Sequence, residues 1–150
     1  MKILILDGSP HPNGTTSLLR KAFAEGALSA GHTVDTFHTA KEDLHPCLGC
    51  NHCRNTGDGC VYKDGMENLN PLLLMADCVV FSTPLYYFGM SAQIKMAIDR
   101  FFANNQVLRA QKKQAVLLAA CGDTDSWALD ALDAHYHAVC HSCTGKTQGK

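Results

Sequence analysis

Three strand-length apolar runs limit what this chain can become. Lys2-Ile3-Leu4-Ile5-Leu6-Asp7, Cys78 to Ser82 and Ala115 to Ala120 are almost unbroken by polar residues. A strand with one wet face alternates apolar and polar residues, so unbroken runs point to strands buried on both faces. Helical patterns separate them. Thr15 or Thr16 is expected to cap a helix with Leu19, Phe23 and Leu28 at helical spacing, stopped by Gly31. Asp64 opens another with Met66, Leu69, Leu73 and Ala76 inward, and Pro71 predicts a kink in it. Ser91 to Asn104 reads as a third, with Ile94, Ile98 and Phe101 on one stripe and Lys95 four residues before Asp99. Ser126 begins a last helix through about His141, and Thr33 to His38 alternates like an edge strand. Strands alternating with helices predict an α/β fold: a doubly wound parallel sheet in a three-layer α/β/α arrangement, one domain over residues 1–150.

Composition narrows the function. Apolar residues make up 46% of 150 residues and the net charge is −1, which excludes a disordered chain and gives no basic field for nucleic acid or anionic membrane. No apolar run has bilayer length, and Met1 opens directly into a strand pattern, so neither a membrane span nor a secretory signal is expected. Eight cysteines in such a chain fit reduced thiols in a cytoplasm, some of them serving as ligands.

In open α/β sheets, ligands sit beyond the carboxyl ends of the strands. Three segments occupy that position. Ser9 to Ser17 carries hydroxyls and backbone N–H groups into a helix N-terminus, without the G-x-x-x-x-G-K-[ST] or G-x-G-x-x-G fingerprints. Such a loop suits a phosphomonoester that is held and not transferred; the same residues also suit an ordinary helix cap. Thr83-Pro84-Leu85-Tyr86-Tyr87-Phe88-Gly89-Met90 sets three aromatics in a row, which cannot all point into a core. They stack on a planar ligand, or else pack on their own helix or on a partner subunit. Cys121-Gly122-Asp123 follows the last strand, where Gly122 permits close backbone approach and Cys121 is either a site residue or a small buried hydrophobe.

With Asp7-Gly8-Ser9-Pro10, Asn13 to Ser17, Thr83 to Tyr87, Met90-Ser91-Ala92-Gln93-Ile94-Lys95 and Asp99-Arg100, the chain resembles the NADPH-dependent FMN reductase family, and Asp64-Gly65-Met66 and Ala76-Asp77 extend the match. The resemblance implies a flavodoxin-like fold and FMN bound at these three loops, with NAD(P)H as co-substrate. It implies that Ser9, Asn13, Thr15, Thr16 and Ser17 hold the phosphate. One departure is His11, where these proteins often carry arginine; a histidine there could still donate to the phosphate. Pro84, Leu85, Tyr86, Tyr87 and Phe88 would flank the ribityl chain and ring, with Cys121 and Gly122 on the other edge. The function implied is transfer of electrons from a nicotinamide through FMN to a small acceptor, or to an iron–sulfur cluster and then a redox protein, with no catalytic dyad or triad in the protein itself. A flavodoxin-like carrier without substrate turnover and a metal-bearing regulatory module are the rivals.

Residues 41–63 have neither strand nor helix period and carry Cys47, Cys50, Cys53 and Cys60 as C-x2-C-x2-C-x6-C. That spacing suits a [4Fe–4S] cluster and resembles the iron–sulfur flavoprotein branch of the family. Zinc, with His45 or His52 as substitutes, and a loop of reduced thiols without metal stay open. Cys78, Cys140 and Cys143 are expected to pack. Thr144 to Lys150 lacks strand character, so the fifth strand of a flavodoxin-like sheet is expected to be absent, and a homo-oligomer would shield the exposed flank.

Overall fold

The computed structural model describes the backbone of residues 1–143; Thr144 to Lys150, on which the expectation of an absent fifth strand rests, lie outside the described residues. The elements are β1 (Lys2–Asp7), α1 (Thr15–Ser29), β2 (Thr33–His38), α2 (His52–Thr56), α3 (Met66–Met75), β3 (Cys78–Tyr86), β4 (Gly89–Met90), α4 (Ala92–Arg100), α5 (Asn105–Gln111), β5 (Gln114–Ala120) and α6 (Asp130–Cys143). Strands β2, β1, β3 and β5 lie side by side in that order, all parallel. This is the flavodoxin-like, doubly wound sheet that the three apolar runs demand. Among the described residues β5 pairs with β3 alone, so no fifth parallel strand follows it. The fifth strand present is β4, a short antiparallel partner to the end of β3.

Side-chain alternation sorts the core into two layers. Leu4, Leu6, Val79 and Phe81 face α3, α4 and α6, meeting Leu69, Leu73, Ile94, Leu132 and Tyr136. Ile3, Ile5, Cys78 and Val80 face Ala27, Phe23 and Ala24 of α1. Cys140 is buried in the first layer and Cys78 in the second, as expected of packing thiols. No helix among the described residues is long and apolar enough to cross a membrane.

Several sequence expectations need correction. Helix α1 takes Gly14, not a threonine, as its N-cap and has no side-chain cap. Its buried stripe runs through Thr16, Ser17 and Ala27, leaving Leu19 and Leu28 exposed, because the sheet meets the face carrying the small residues. The region expected to be a loop after Ser82 continues as strand through Tyr86, with Pro84 opposite Ala120 near the strand end, where a missing N–H is tolerated. Helix α3 spans Met66–Met75 with Pro71 inside it, where the sequence placed it. The third helix ends at Arg100 and tightens into a 3₁₀ turn, and α6 starts at Asp130 after turns at 126–129. The cysteine segment contains the short helix α2.

One buried ion pair anchors that segment. Arg100, at the end of α4, reaches Asp64 with Nη1 to Oδ2 at 2.8 Å and Nη2 to Oδ1 at 3.2 Å. Both side chains are almost wholly buried. Arg100 Nη1 also donates to the His45 carbonyl at 2.8 Å, while Asp64 accepts from the backbone N–H of His45 and of Met66, both at 3.1 Å. The ring of Tyr62 stacks on His45 at 4.5 Å and lies 5.2 Å from the Arg100 guanidinium. The two ends of the cysteine segment are thus tied to one charge pair. Burial alone would raise the Asp64 pKa, but the Arg100 hydrogen bonds, the two backbone donors and the Arg100 charge outweigh it and bring it down to about 2. A carboxylate with a lowered folded pKa stabilises the fold above its ordinary value of 3.8 and loses that share as pH falls towards 2. Asp64→Asn leaves Arg100 buried and unpaired, so chemical denaturation should show a loss of about 3–5 kcal/mol near neutral pH. That loss should shrink below pH 3.8, where the wild type loses its advantage; an equal loss at every pH would contradict the assignment.

Candidate functional site

The site begins where β1 runs out. Gly8 passes so close to α4 that an added Cβ would stand 2.7 Å from Ser91 Oγ and 2.8 Å from Ile94 Cβ, which only glycine permits. Ser91 closes that approach: its hydroxyl donates to the Gly8 carbonyl at 2.7 Å, and it caps α4 by accepting from Ile94 N–H. The chain then turns through Ser9 and His11, where the Ser9 hydroxyl accepts from His11 N–H at 3.2 Å, and enters α1 at Thr15. The opening N–H groups of a helix have no carbonyl partner inside it. Here no side chain caps them and no acidic residue stands in the first turn, so the positive end of the helix is open to an anion.

A cleft of about 320 Å³ opens at this point, lined by Ser9, His11, Gly14, Thr15, Thr16, Pro84, Leu85, Tyr86, Ala120, Cys121 and Gly122. All three segments singled out in the sequence contribute to it. The parallel register makes this inevitable, since Asp7, Ser82 and Leu118 stand abreast and the residues following each emerge on the same sheet end. Of the thirteen residues proposed from the sequence, four stay out of the lining. Asn13 is exposed beside it. Ser17 is buried beneath, its hydroxyl donating to the His11 carbonyl at 3.4 Å. Tyr87 and Phe88 form the turn between β3 and β4, with φ of 45° and 66°. Two consecutive left-handed residues are the geometry of a tight hairpin, normally filled by Asn-Gly, and each bulky residue there costs about 1–2 kcal/mol. Tyr87 is 98% exposed, while Phe88 stacks on Trp127 at 4.9 Å. The three aromatics therefore divide: Tyr86 faces the cleft, Tyr87 the solvent and Phe88 the loop after β5.

Sequence reasoning missed Gly14 and Ala120 in the lining, the Phe88–Trp127 contact and the charges beneath the first loop. Asp7, buried at the end of β1, lies 3.2 Å from Arg20 Nε and 2.8 Å from His38 Nδ1, and accepts from Ser9 N–H at 3.2 Å. A charged residue closing an apolar strand was the available signal.

The four cysteines of the second candidate site do not come together. Cys47 and Cys50 are exposed, Cys53 and Cys60 half-buried, and among the described residues no group of three or more His, Cys, Asp or Glu side chains could hold a metal. Left-handed turns at Gly49, Asn51, Gly57 and Gly59 and the intervening helix α2 spread the thiols along the segment. One local feature fits a ligand loop: Gly49 N–H donates to Cys47 Sγ at 3.5 Å.

Comparison with known proteins identifies the family. The description of the NADPH-dependent FMN reductase family fits residues 1–145. The chain belongs to that family. It is 34% identical over 100 residues to an iron-sulfur flavoprotein of Methanocaldococcus jannaschii, covering 67% of this chain and 51% of that one. A Bacillus subtilis protein named as an NAD(P)H-dependent FMN-containing oxidoreductase is 29% identical over 133 residues, covering 82% of this chain and 68% of the other. The chain thus spans about half the length of the iron-sulfur flavoproteins it resembles. In fold it is similar to an NADH:FMN oxidoreductase solved in its apo form, with TM-score 0.67 and 22% identity over 94% of this chain and 68% of that one. It is also similar to the NAD(P)H:acceptor flavoenzyme of Paracoccus denitrificans, with TM-score 0.71 and 16% identity over 99% and 75%.

The residues present fit FMN: an uncapped helix start and hydroxyls for the phosphate, and Pro84, Leu85 and Tyr86 opposite Cys121 and Gly122 for the flat ring. Thr16 is buried in the first turn, so Thr16→Glu would set a carboxylate against the helix start. Titration with FMN, followed by flavin fluorescence, should show affinity reduced at least 100-fold with the fold intact by circular dichroism. Wild-type affinity would remove the phosphate from this turn.

Proposed function

We propose that the protein is an FMN-dependent oxidoreductase that takes electrons from NADH or NADPH and delivers them to a small acceptor. The observation that carries this reading is the shared cleft at the carboxyl ends of β1, β3 and β5, with the open N-terminus of α1 at one end and Tyr86 at the other. Bound FMN supplies the redox chemistry, accepting a hydride and releasing its electrons onward. The protein supplies position. Ser9, His11, Thr15 and Thr16 would hold the phosphate, and Pro84, Leu85, Tyr86, Cys121 and Gly122 would bracket the ring. The cleft is open to solvent, so a nicotinamide and then an acceptor can reach the ring in turn. The reading includes a homo-oligomer, in which a neighbour would cover the flank of β5 that has no partner among the described residues.

A second reading adds an iron–sulfur cluster as the onward acceptor. The C-x2-C-x2-C-x6-C spacing, the Gly49–Cys47 contact and the names of the relatives support it. The four thiols must first move together, so no step of the proposal depends on it. Protein prepared without oxygen should then contain iron and sulfide in equal amounts, near four per chain, lost on replacing Cys60 by Ser; absence of both under those conditions would leave the flavin reading alone.

The main reading is tested by NADH and NADPH oxidation on FMN-loaded protein, with and without a naphthoquinone. Nicotinamide consumption that depends on the quinone is the expected result. No consumption in its presence would instead support a carrier without substrate turnover.

A further inference from the structure

The β1–α1 loop carries no lysine or arginine from Gly8 to Ser17, yet the ligand proposed for it is a phosphate dianion. Directly beneath the loop stands a carboxylate. Asp7 is 2% exposed, and its Oδ1 already accepts the N–H of Ser9, a residue of the cleft lining. Left alone, a buried negative charge at that point opposes an anion on the other side of the loop, because Coulomb repulsion is strong where water is excluded.

Arg20 answers both facts. It lies on α1 one helical turn beyond Ser17, on the same face, so its side chain runs down to the end of β1. Its Nε stands 3.2 Å from Asp7 Oδ2, and its Nη2 donates to the Ser17 hydroxyl at 3.5 Å. That hydroxyl in turn donates to the His11 carbonyl. Arg20 Nε is buried and has no hydrogen bond of good geometry, so its hold on Asp7 is that of an ion pair. His38, at the end of β2, contacts the same carboxylate oxygen but is about one-third exposed and carries a full charge only when protonated. Among the described residues that pair with Asp7, Arg20 alone supplies a permanent positive charge.

We propose that Arg20 is the positioning residue for the flavin phosphate: it neutralises Asp7 under the loop and, through Ser17, fixes the backbone of His11 above it. The proposal rests on the flavin reading given above. It assigns the phosphate-specific part of the affinity to a side chain outside the cleft, and no part of the affinity for the ring.

The test compares FMN with riboflavin, which has the same ring and ribityl chain but no phosphate, using flavin fluorescence with the full chain. Arg20→Gln should weaken FMN binding about tenfold while riboflavin affinity stays within twofold. Adding Asp7→Asn to Arg20→Gln removes the unopposed charge and should recover most of the lost FMN affinity. Arg20→Lys keeps the charge and should lie between. A parallel loss for both flavins would show that Arg20 serves only the fold, and unchanged FMN affinity would show that it serves neither; each overturns the proposal. If wild-type protein binds FMN no better than riboflavin, the phosphate reading itself fails, and this proposal with it.

Discussion

The first turn of α1 is the constraint on which the rest depends. Its N–H groups need an acceptor, and the chain offers them neither a capping side chain nor an acidic residue. The surroundings keep that end open. Gly8 lets the loop pass under α4, Ser91 pins it there, and Ser9 and His11 close their turn on each other. A protein that builds so much around an unanswered helix start leaves a place for an anion, and the cleft beside it leaves a place for what the anion carries.

Much of this was legible in the sequence. Unbroken apolar runs at β1, β3 and β5 gave the parallel sheet, and a parallel sheet brings the three following segments to one end. Individual side chains were less legible, because the last step from segment to contact depends on turn geometry. Tyr86, Tyr87 and Phe88 look equivalent as letters, but a tight hairpin aims them at the cleft, the solvent and Trp127. Leu19 and Leu28 follow helical spacing and still lie outside, since α1 packs through its small residues.

The cysteine segment shows a different limit. Spacing reports which residues a metal would take, and says nothing of what holds the segment in the metal's absence. That work falls to Arg100 and Asp64, whose partners His45 and Tyr62 bracket the four cysteines. Arg100 closes the same helix that Ser91 opens against the β1–α1 loop, so α4 touches both candidate sites, one at each end. Cys47 and Cys50 are exposed and Cys53 and Cys60 half-buried, and Cys60 lies close enough to Arg100 to hydrogen-bond with it.

A crystal structure of the protein grown with FMN tests the central claim most directly. The account requires the phosphate at the first turn of α1, within hydrogen-bond reach of the Thr15 and Thr16 N–H groups, and the ring between Tyr86 and Gly122. Flavin bound elsewhere, or a cleft closed by the protein's own side chains at saturating FMN, would contradict it.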